Sequence, residues 1–426
     1  MSSFLAGLGM KGGSCRPMRS LLHVLGCGLA CLGLSLMAGG SGASHAQPVK
    51  AIHESAFDAG ARAESRLMQA LLQLNAGDLN EAIQEVEALL TQTPNFRSAQ
   101  LVYSDLLRLR SGLALNQGQD ADRTHLLALQ SELRQRLAAY SAPPPADAIP
   151  AQFLRLDASV RHAIAVDAEK SRLYLFANGA QGLSLIGDFY ISVGKLGVDK
   201  REEGDQKTPL GLYFTTGQIP GKKLPDLYGV GALPVNYPND WDRMHGRTGS
   251  GIWLHGSPSD QFARVPQASD GCVVLANPDM ALLMQVIERR TPVLFAPQLN
   301  WVKQAGAQEQ PSLLAFEQIL RRWETARRSA AGMGGLDAYY TTEFLQSTHR
   351  RNQLERQAKH YADKNFRIES SSVYAWSDAM GELRIVNVRA TSAEYPAGLS
   401  LRQYWRKHAG QWQIFSEDVL AEVAPS

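Results

Sequence analysis

Three consecutive prolines, Pro143 to Pro145, limit the fold of this chain more than any other feature. Proline fixes φ and has no amide hydrogen, so no helix can run through such a segment. Before the prolines apolar residues recur at helical spacing, and after them the spacing becomes two, as in β-strands. A chain of 426 residues is also longer than one ordinary core requires. We therefore predict a multidomain protein, with residues 141–160 as a Pro-rich linker.

The first 46 residues are typical of a secretory signal. An apolar stretch at 21–40 follows three basic residues, Lys11, Arg16 and Arg19. Small residues at 44 and 46 have the character of a cleavage site. We expect residues 1–46 to be removed and the mature protein to be periplasmic. A retained membrane anchor is one alternative, since roughly 18 to 20 apolar residues can span a bilayer, and a lipoprotein modified at Cys27 is another.

Removal of that segment would leave one thiol. Three of the four cysteines lie within residues 1–46, and Cys272 is the fourth. An odd cysteine in a secreted protein serves as a reactive nucleophile or as an intermolecular link. A small buried residue is the alternative, but an idle thiol is a liability in an oxidising compartment. Cys272 is therefore the residue whose chemistry needs explaining.

Residues 47–140 are predicted to be helical, because their apolar residues recur at helical spacing. The stretch that contains Gly77, Ala82 and Pro94 resembles a tetratricopeptide repeat. About one and a half repeats are present, fewer than a free-standing solenoid needs. A plain helical hairpin packed on its neighbour and a partner-binding groove both fit this pattern. A further helix is predicted at 123–137.

Residues 161–300 are predicted to form a mostly-β domain. The strand pattern covers 162–167, 171–176, 187–194 and 207–214, and a helix is expected at 278–289.

A second linker is predicted at 301–311, where the composition becomes polar. Residues 312–423 then read as an α+β domain, with helices at 313–329, 336–345 and 352–365 followed by strands at 373–378, 383–392, 400–408 and 411–418. This order resembles the cone of nuclear-transport-factor-two-like domains. Such cones host a small pocket or a dimer face, and nothing in the sequence selects a ligand.

A histidine and the one mature cysteine lie within residues 252–278. His255 ends one apolar run and Cys272 begins the next, so we predict that they lie on neighbouring antiparallel strands. A thiol is only a few per cent ionised at neutral pH, and a nucleophilic cysteine needs a base such as this histidine. Gly271 permits a sharp turn that would leave the amides of residues 271 and 272 facing an oxyanion. A Cys-His pair of this kind performs acyl transfer.

These motifs resemble the catalytic domain of the L,D-transpeptidases, whose common form is His-Gly, a gap, and then Ser/Thr-His-Gly-Cys. The resemblance is carried by 255–256 and 269–273, with support from the turn at 208–211. It implies that Cys272 is the acylated nucleophile and His255 the general base. It also implies that the carbonyl of Gly256 orients the imidazole and that neither a metal nor an organic cofactor is needed.

Two residues depart from the common motif. Asp270 stands where a second histidine is usual, and Val274 replaces an arginine. A carboxylate beside a thiol raises the pKa of the thiol, so Asp270 is expected to point away or to meet a substrate amine. Ser269 is expected to brace the turn. Arg264 is a candidate for binding a substrate carboxylate, with an ordinary surface arginine as the alternative.

The resemblance implies an activity on peptidoglycan stem peptides. Cys272 would attack the carbonyl of the diamino acid at position three of a tetrapeptide stem and expel D-alanine. The acyl group would pass to an amine of another stem, of an envelope protein or of a free amino acid. Water as the acceptor would make the protein an L,D-carboxypeptidase, or an amidase that detaches proteins from the wall.

A non-enzymatic alternative is a wall-binding scaffold whose terminal domains recruit envelope proteins. Nucleic acid is not an expected partner, because 43 Lys and Arg residues nearly balance 41 Asp and Glu.

Overall fold

The computed structural model describes residues 58–113, 120–307, 310–329, 335–347, 366–392, 396 and 398–422. The predicted signal segment at 1–46 and the predicted helix at 352–365 lie outside these ranges. The described helices are α1 (Asp58–Ala76), α2 (Leu79–Gln92), α3 (Arg97–Arg110), α4 (Asp120–Ser141), α5 (Asp240–Met244), α6 (Asn277–Val286), α7 (Gln304–Ala307), α8 (Pro311–Ser329) and α9 (Thr342–Gln346). None of them combines the length and the apolar composition that crossing a membrane requires.

The strands of the described residues fall into three sheets. They are β1 (Ala148–Pro150), β2 (Phe153–Arg155), β3 (His162–Asp167), β4 (Arg172–Gly179), β5 (Gly182–Gly194), β6 (Gly211–Phe214), β7 (Ile219–Pro220), β8 (Gly231–Pro234), β9 (Trp253–Gly256), β10 (Gln267–Ser269), β11 (Val273–Leu275), β12 (Pro292–Ala296), β13 (Trp301–Lys303), β14 (Arg367–Asp378), β15 (Gly381–Thr391), β16 (Leu399–His408) and β17 (Gln411–Glu422).

The N-terminal region is helical, as predicted. Helices α1 to α4 pack side by side, and their apolar stripes form a common core that includes Leu67, Val86 and Leu106. Phe262 and Ala276, which belong to the next domain, are buried in the same core. The helical region is therefore docked on its neighbour through shared apolar contacts.

The central region is mostly β, as predicted. In the described chain its large sheet has the order β6-β12-β3-β4-β5-β11-β9-β8-β7, with β10 beside β5. The pairs β12–β3, β11–β9 and β10–β5 are parallel, while the other neighbours run antiparallel. Helix α6 covers one face and supplies Met280 and Leu283 to a core of strand residues.

The two segments predicted as linkers both contain strands. Strand β1 pairs with β13, and β2 adds to the edge of the C-terminal sheet beside β14. Phe153 of β2 is buried against Phe176 and Tyr374. Proline and polar residues exclude a helix, but they leave an extended segment free to pair with an exposed sheet edge. These short segments join the central domain to the C-terminal one.

The C-terminal region is α+β, as predicted, with the sheet order β17-β16-β15-β14-β2. Helix α8 packs on one face through Phe316 and Trp323, which contact Trp405 edge to face. The helix predicted at 336–345 was wrong in extent. It is a short 3-10 turn followed by α9, because Thr341 is extended and its hydroxyl caps α9 by accepting the amide of Phe344 at 3.2 Å. The likeness to the nuclear-transport-factor-two cone stays a prediction.

Candidate active site

Cys272 directly precedes β11, which lies beside the strand that carries His255. His255 lies in β9 opposite Val274 of β11, and Leu254 lies opposite Val273. Paired residues face the same side of a sheet, as do residues two apart on one strand. Extended two residues back from Val274, this register places Cys272 on the same face as the imidazole. The two strands run parallel rather than antiparallel, which corrects the prediction, because residues 257–266 carry the chain back to the start of β11.

His255 is held in one orientation. Its Nδ1 lies 2.7 Å from the carbonyl oxygen of Gly256, to which it donates its proton, so the lone pair is left on Nε2. The ring is buried and packs against Tyr228 at a centroid distance of 5.0 Å. Burial, together with the nearby Arg264 cation, lowers the pKa of His255 to about 4. The imidazole is therefore neutral at neutral pH and able to accept a proton.

Cys272 carries a protonated thiol. Burial raises the pKa of the thiol, the Asp270 carboxylate raises it further, and hydrogen bonding from the backbone of Trp253 opposes both effects. The Sγ atom lies 3.4 Å from the carbonyl oxygen of Gly251, so within the described chain its hydrogen bond goes to that carbonyl and not to His255. A thiolate would have to form by proton transfer when a substrate binds.

The turn before the cysteine is braced by Ser269. Its hydroxyl accepts the amide of Gly271 at 3.1 Å and donates to the carbonyl of Cys272 at 2.5 Å. The predicted use of the Gly271 amide for an oxyanion was therefore wrong, because Ser269 occupies it. The amide of Cys272 remains as the donor of this pair.

Gly271 is needed at this turn for its backbone geometry. Its φ is +125°, and a Cβ atom at this position would lie 2.7 Å from the carbonyl oxygen of Lys207. Thr208 holds the same turn from outside, with its hydroxyl donating to the carbonyl of Gly271 at 2.9 Å and accepting the amide of Gly194 at 3.0 Å. From the sequence, Thr208 was recognised only as part of the turn at 208–211. Its position directly before a proline is the signal that could have suggested that it holds the Gly271 turn.

Asp270 does not meet the thiol. Its carboxylate is exposed and lies 2.8 Å from Nζ of Lys195 and 3.1 Å from Nε2 of Gln206. The Lys195 ammonium is the main reason that the pKa of Asp270 is lowered. Sequence reasoning missed Lys195, because nothing local connects residues 75 positions apart.

Arg264 lies near enough to both His255 and Asp270 to interact with them electrostatically. The side chain is half-buried, and burial lowers its pKa while Asp270 raises it. It is close enough to lower the pKa of His255, yet no carboxylate of the described residues lies within ion-pair distance of its guanidinium. An arginine at this depth without an anion is suited to binding a carboxylate that comes from solution.

Part of this chain is similar to known proteins. The family model of YkuD, the L,D-transpeptidase catalytic domain, matches residues 161–294. Bd1075 of Bdellovibrio bacteriovorus is similar in structure, with 25% identity and a TM-score of 0.52 over 64% of this chain and 98% of that one. The helical cell shape determining protein Pgp2 of Campylobacter jejuni has 20% identity and a TM-score of 0.48 over 60% and 91% of the two chains. No curated protein sequence matches the chain.

Proposed function

We propose that this protein is a periplasmic peptidoglycan L,D-transpeptidase that acts through a thioester on Cys272. One observation carries the proposal. A neutral His255, oriented by Gly256 at 2.7 Å, shares a sheet face with the one cysteine that follows the predicted signal segment. The match of residues 161–294 to the L,D-transpeptidase catalytic domain supports the same activity.

The first half-reaction forms the acyl-enzyme. Nε2 of His255 takes the thiol proton of Cys272 as the sulfur attacks the carbonyl carbon of the diamino acid at position three. The amide of Cys272 donates to the oxyanion of the tetrahedral intermediate. Burial makes the imidazolium unfavourable, so His255 readily passes the proton to the leaving amine, and D-alanine departs as the thioester forms.

The second half-reaction transfers the acyl group. An amine of a second stem peptide attacks the thioester, and His255 accepts its proton. The carbon–sulfur bond breaks and the thiolate recovers that proton. Neither step needs a metal or an organic cofactor, because the thiol, the imidazole and the amide supply the nucleophile, the base and the oxyanion donor.

Muropeptide analysis of cells that carry wild-type protein or Cys272→Ala tests this function. We expect cross-links between two diamino acids to depend on Cys272. Shortened stems without such cross-links would indicate an L,D-carboxypeptidase, and loss of wall-attached protein remnants would indicate the amidase. Identical muropeptides in both strains, with no carbapenem adduct on Cys272 by mass spectrometry, would contradict enzymatic activity and favour a wall-binding scaffold.

Export to the periplasm is tested separately. N-terminal sequencing of the protein recovered from the envelope should begin at Gln47, the residue after the predicted signal. Recovery of the intact N-terminus in a membrane fraction would favour the retained anchor instead.

A further inference from the structure

Residues 257–266, here called the bridging loop, connect His255 to the strand before Cys272 and carry Arg264. The helical region contacts this loop directly. The ring of Phe262 packs on Phe96 at a centroid distance of 4.5 Å, and its amide donates to the carbonyl of Asn95 at 3.1 Å. The side chain of Asn95 donates to the carbonyl of Ser259 at 3.0 Å. The turn between α2 and α3 thus holds the middle of the loop.

A second set of contacts reaches the loop at Arg264 itself. Arg136 of α4 lies over the ring of Tyr190 at 3.8 Å, and the Tyr190 hydroxyl donates to the backbone carbonyl of Arg264 at 3.0 Å. Arg136 is 2% exposed and pairs with Glu132 at 2.9 Å and with Glu64 at 3.3 Å. Removing one member of a buried charged cluster leaves the other charges buried without partners. The contact of Arg136 with Tyr190 therefore strongly favours one geometry.

The helical region is also tied to the central sheet by ions. Glu64 of α1 lies 2.6 Å from Arg172 of β4, and Arg172 lies 2.7 Å from Asp188 of β5. Arg172 is 5% exposed. These ion pairs therefore hold the helices in a set position relative to β5, the strand that carries Tyr190. The helices contact the bridging loop from this position.

We propose that the helical region positions the bridging loop so that Arg264 binds the carboxylate of the substrate beside His255. Arg264 is then a specificity-determining residue, while Phe262 and Tyr190 are positioning residues that act through it. This inference rests on the proposed function for the identity of the substrate. The helical turn at 95–97 is covered by the protein's own loop, so this part of the surface is not a groove for another protein.

Alkylation of Cys272 tests the proposal without turnover. Iodoacetate carries a carboxylate and iodoacetamide does not, and peptide mapping by mass spectrometry reads Cys272 alone in the full-length protein. We expect the ratio of the iodoacetate to the iodoacetamide rate to fall roughly three- to tenfold in Arg264→Gln, because a nearby cation concentrates an anionic reagent. Phe262→Ala should lower the ratio in the same direction, and Phe262→Leu should restore most of it.

The helical side of the contact provides an independent variant. Asn95→Ala with Arg97→Gln removes two contacts to the loop, at Ser259 and at Asp260, while leaving the helical core intact. It should increase hydrogen exchange in residues 257–266 but not in β3 and β4. Leu127→Ala is the matched control, since Leu127 lies on α4 and is 50% exposed; it should change neither measurement.

The outcomes separate this inference from the proposed function. A lower alkylation ratio in Phe262→Ala, with higher exchange in the loop, supports positioning even if muropeptides show no turnover. An unchanged ratio in Arg264→Gln, or an unchanged ratio and exchange in Phe262→Ala, overturns it even in an active transpeptidase. With tetrapeptide substrate, positioning predicts a rise of KM that exceeds the fall of kcat in Phe262→Ala.

Discussion

The carboxylate of Asp270 lies 2.8 Å from the ammonium of Lys195. This ion pair gives Asp270, which stands two positions before Cys272, a partner other than the thiol. The Asp270 charge still raises the pKa of Cys272, but the carboxylate is paired with Lys195 on the exposed side of the turn.

Opposite changes to this ion pair should move the thiol in opposite directions. Asp270→Asn removes the negative charge and should lower the pKa of Cys272, whereas Lys195→Ala leaves the carboxylate uncompensated and should raise it. At a fixed pH below the thiol pKa, we expect iodoacetamide to react roughly two- to fivefold faster in the first variant and slower in the second. Changes in the same direction would show that the pair does not act through its charge.

The pH dependence of turnover should report the low pKa of His255. A base is lost when it is protonated, so kcat/KM should fall only as the pH drops toward about 4, rather than near the usual value of about 6.5. Arg264→Gln removes one cause of the lowered pKa and should move this acid limb upward. A limb near 6.5 in the wild-type protein would contradict the buried, neutral imidazole.

Gly271→Ala should disable the turn. The added Cβ would meet the carbonyl of Lys207 at 2.7 Å, and φ of +125° is unfavourable for alanine. Because the amide of Cys272 would shift with the turn, we expect a loss of roughly 10²-fold or more in kcat. Gly246→Ala is the control: its φ is also positive, at +67°, but nothing lies within 4 Å of the added Cβ. Equal losses in both variants would point to backbone strain alone.

Asp279 should make docking of the helical region sensitive to pH. It lies in the first turn of α6, packed against Gly60 of α1. Burial, with a further contribution from the Glu64 charge, raises the pKa of Asp279 from 3.8 to about 7. Between these values the native protein holds a proton that the unfolded chain has lost. The contribution of Asp279 to the stability of the folded protein is therefore complete below about pH 4, and it is lost as the pH rises through about 7.

Asp279→Asn keeps the shape of the side chain without its charge. We expect this variant to raise the free energy of unfolding by about 1–3 kcal/mol at pH 8, with a flatter dependence of Tm on pH between about 5 and 8. Asp260→Asn, whose side chain is 64% exposed, should leave that dependence unchanged. A Tm of Asp279→Asn that tracks the wild-type protein at every pH would show that Asp279 is not protonated in the native state.

Much of this protein could be predicted from local sequence. Helical spacing before Pro143 and alternation after it predicted the helical and mostly-β regions, because burial of one face imposes these periods on the chain itself. The placement of His255 and Cys272 on neighbouring segments of the sheet was predicted in the same way, since His255 ends one apolar run and Cys272 begins the next.

Contacts between distant segments were decided by the tertiary structure. The parallel register of β9 and β11 depends on the course of the bridging loop, and residues 148–150 became a strand because the edge of β13 was available. Lys195 reaches Asp270, and Phe96 reaches Phe262, across separations that carry no periodic signal. The sequence alone determined which residues are candidates for the chemistry. Only packing decided what surrounds them, because the free energy of such contacts depends on surfaces that form after the elements come together.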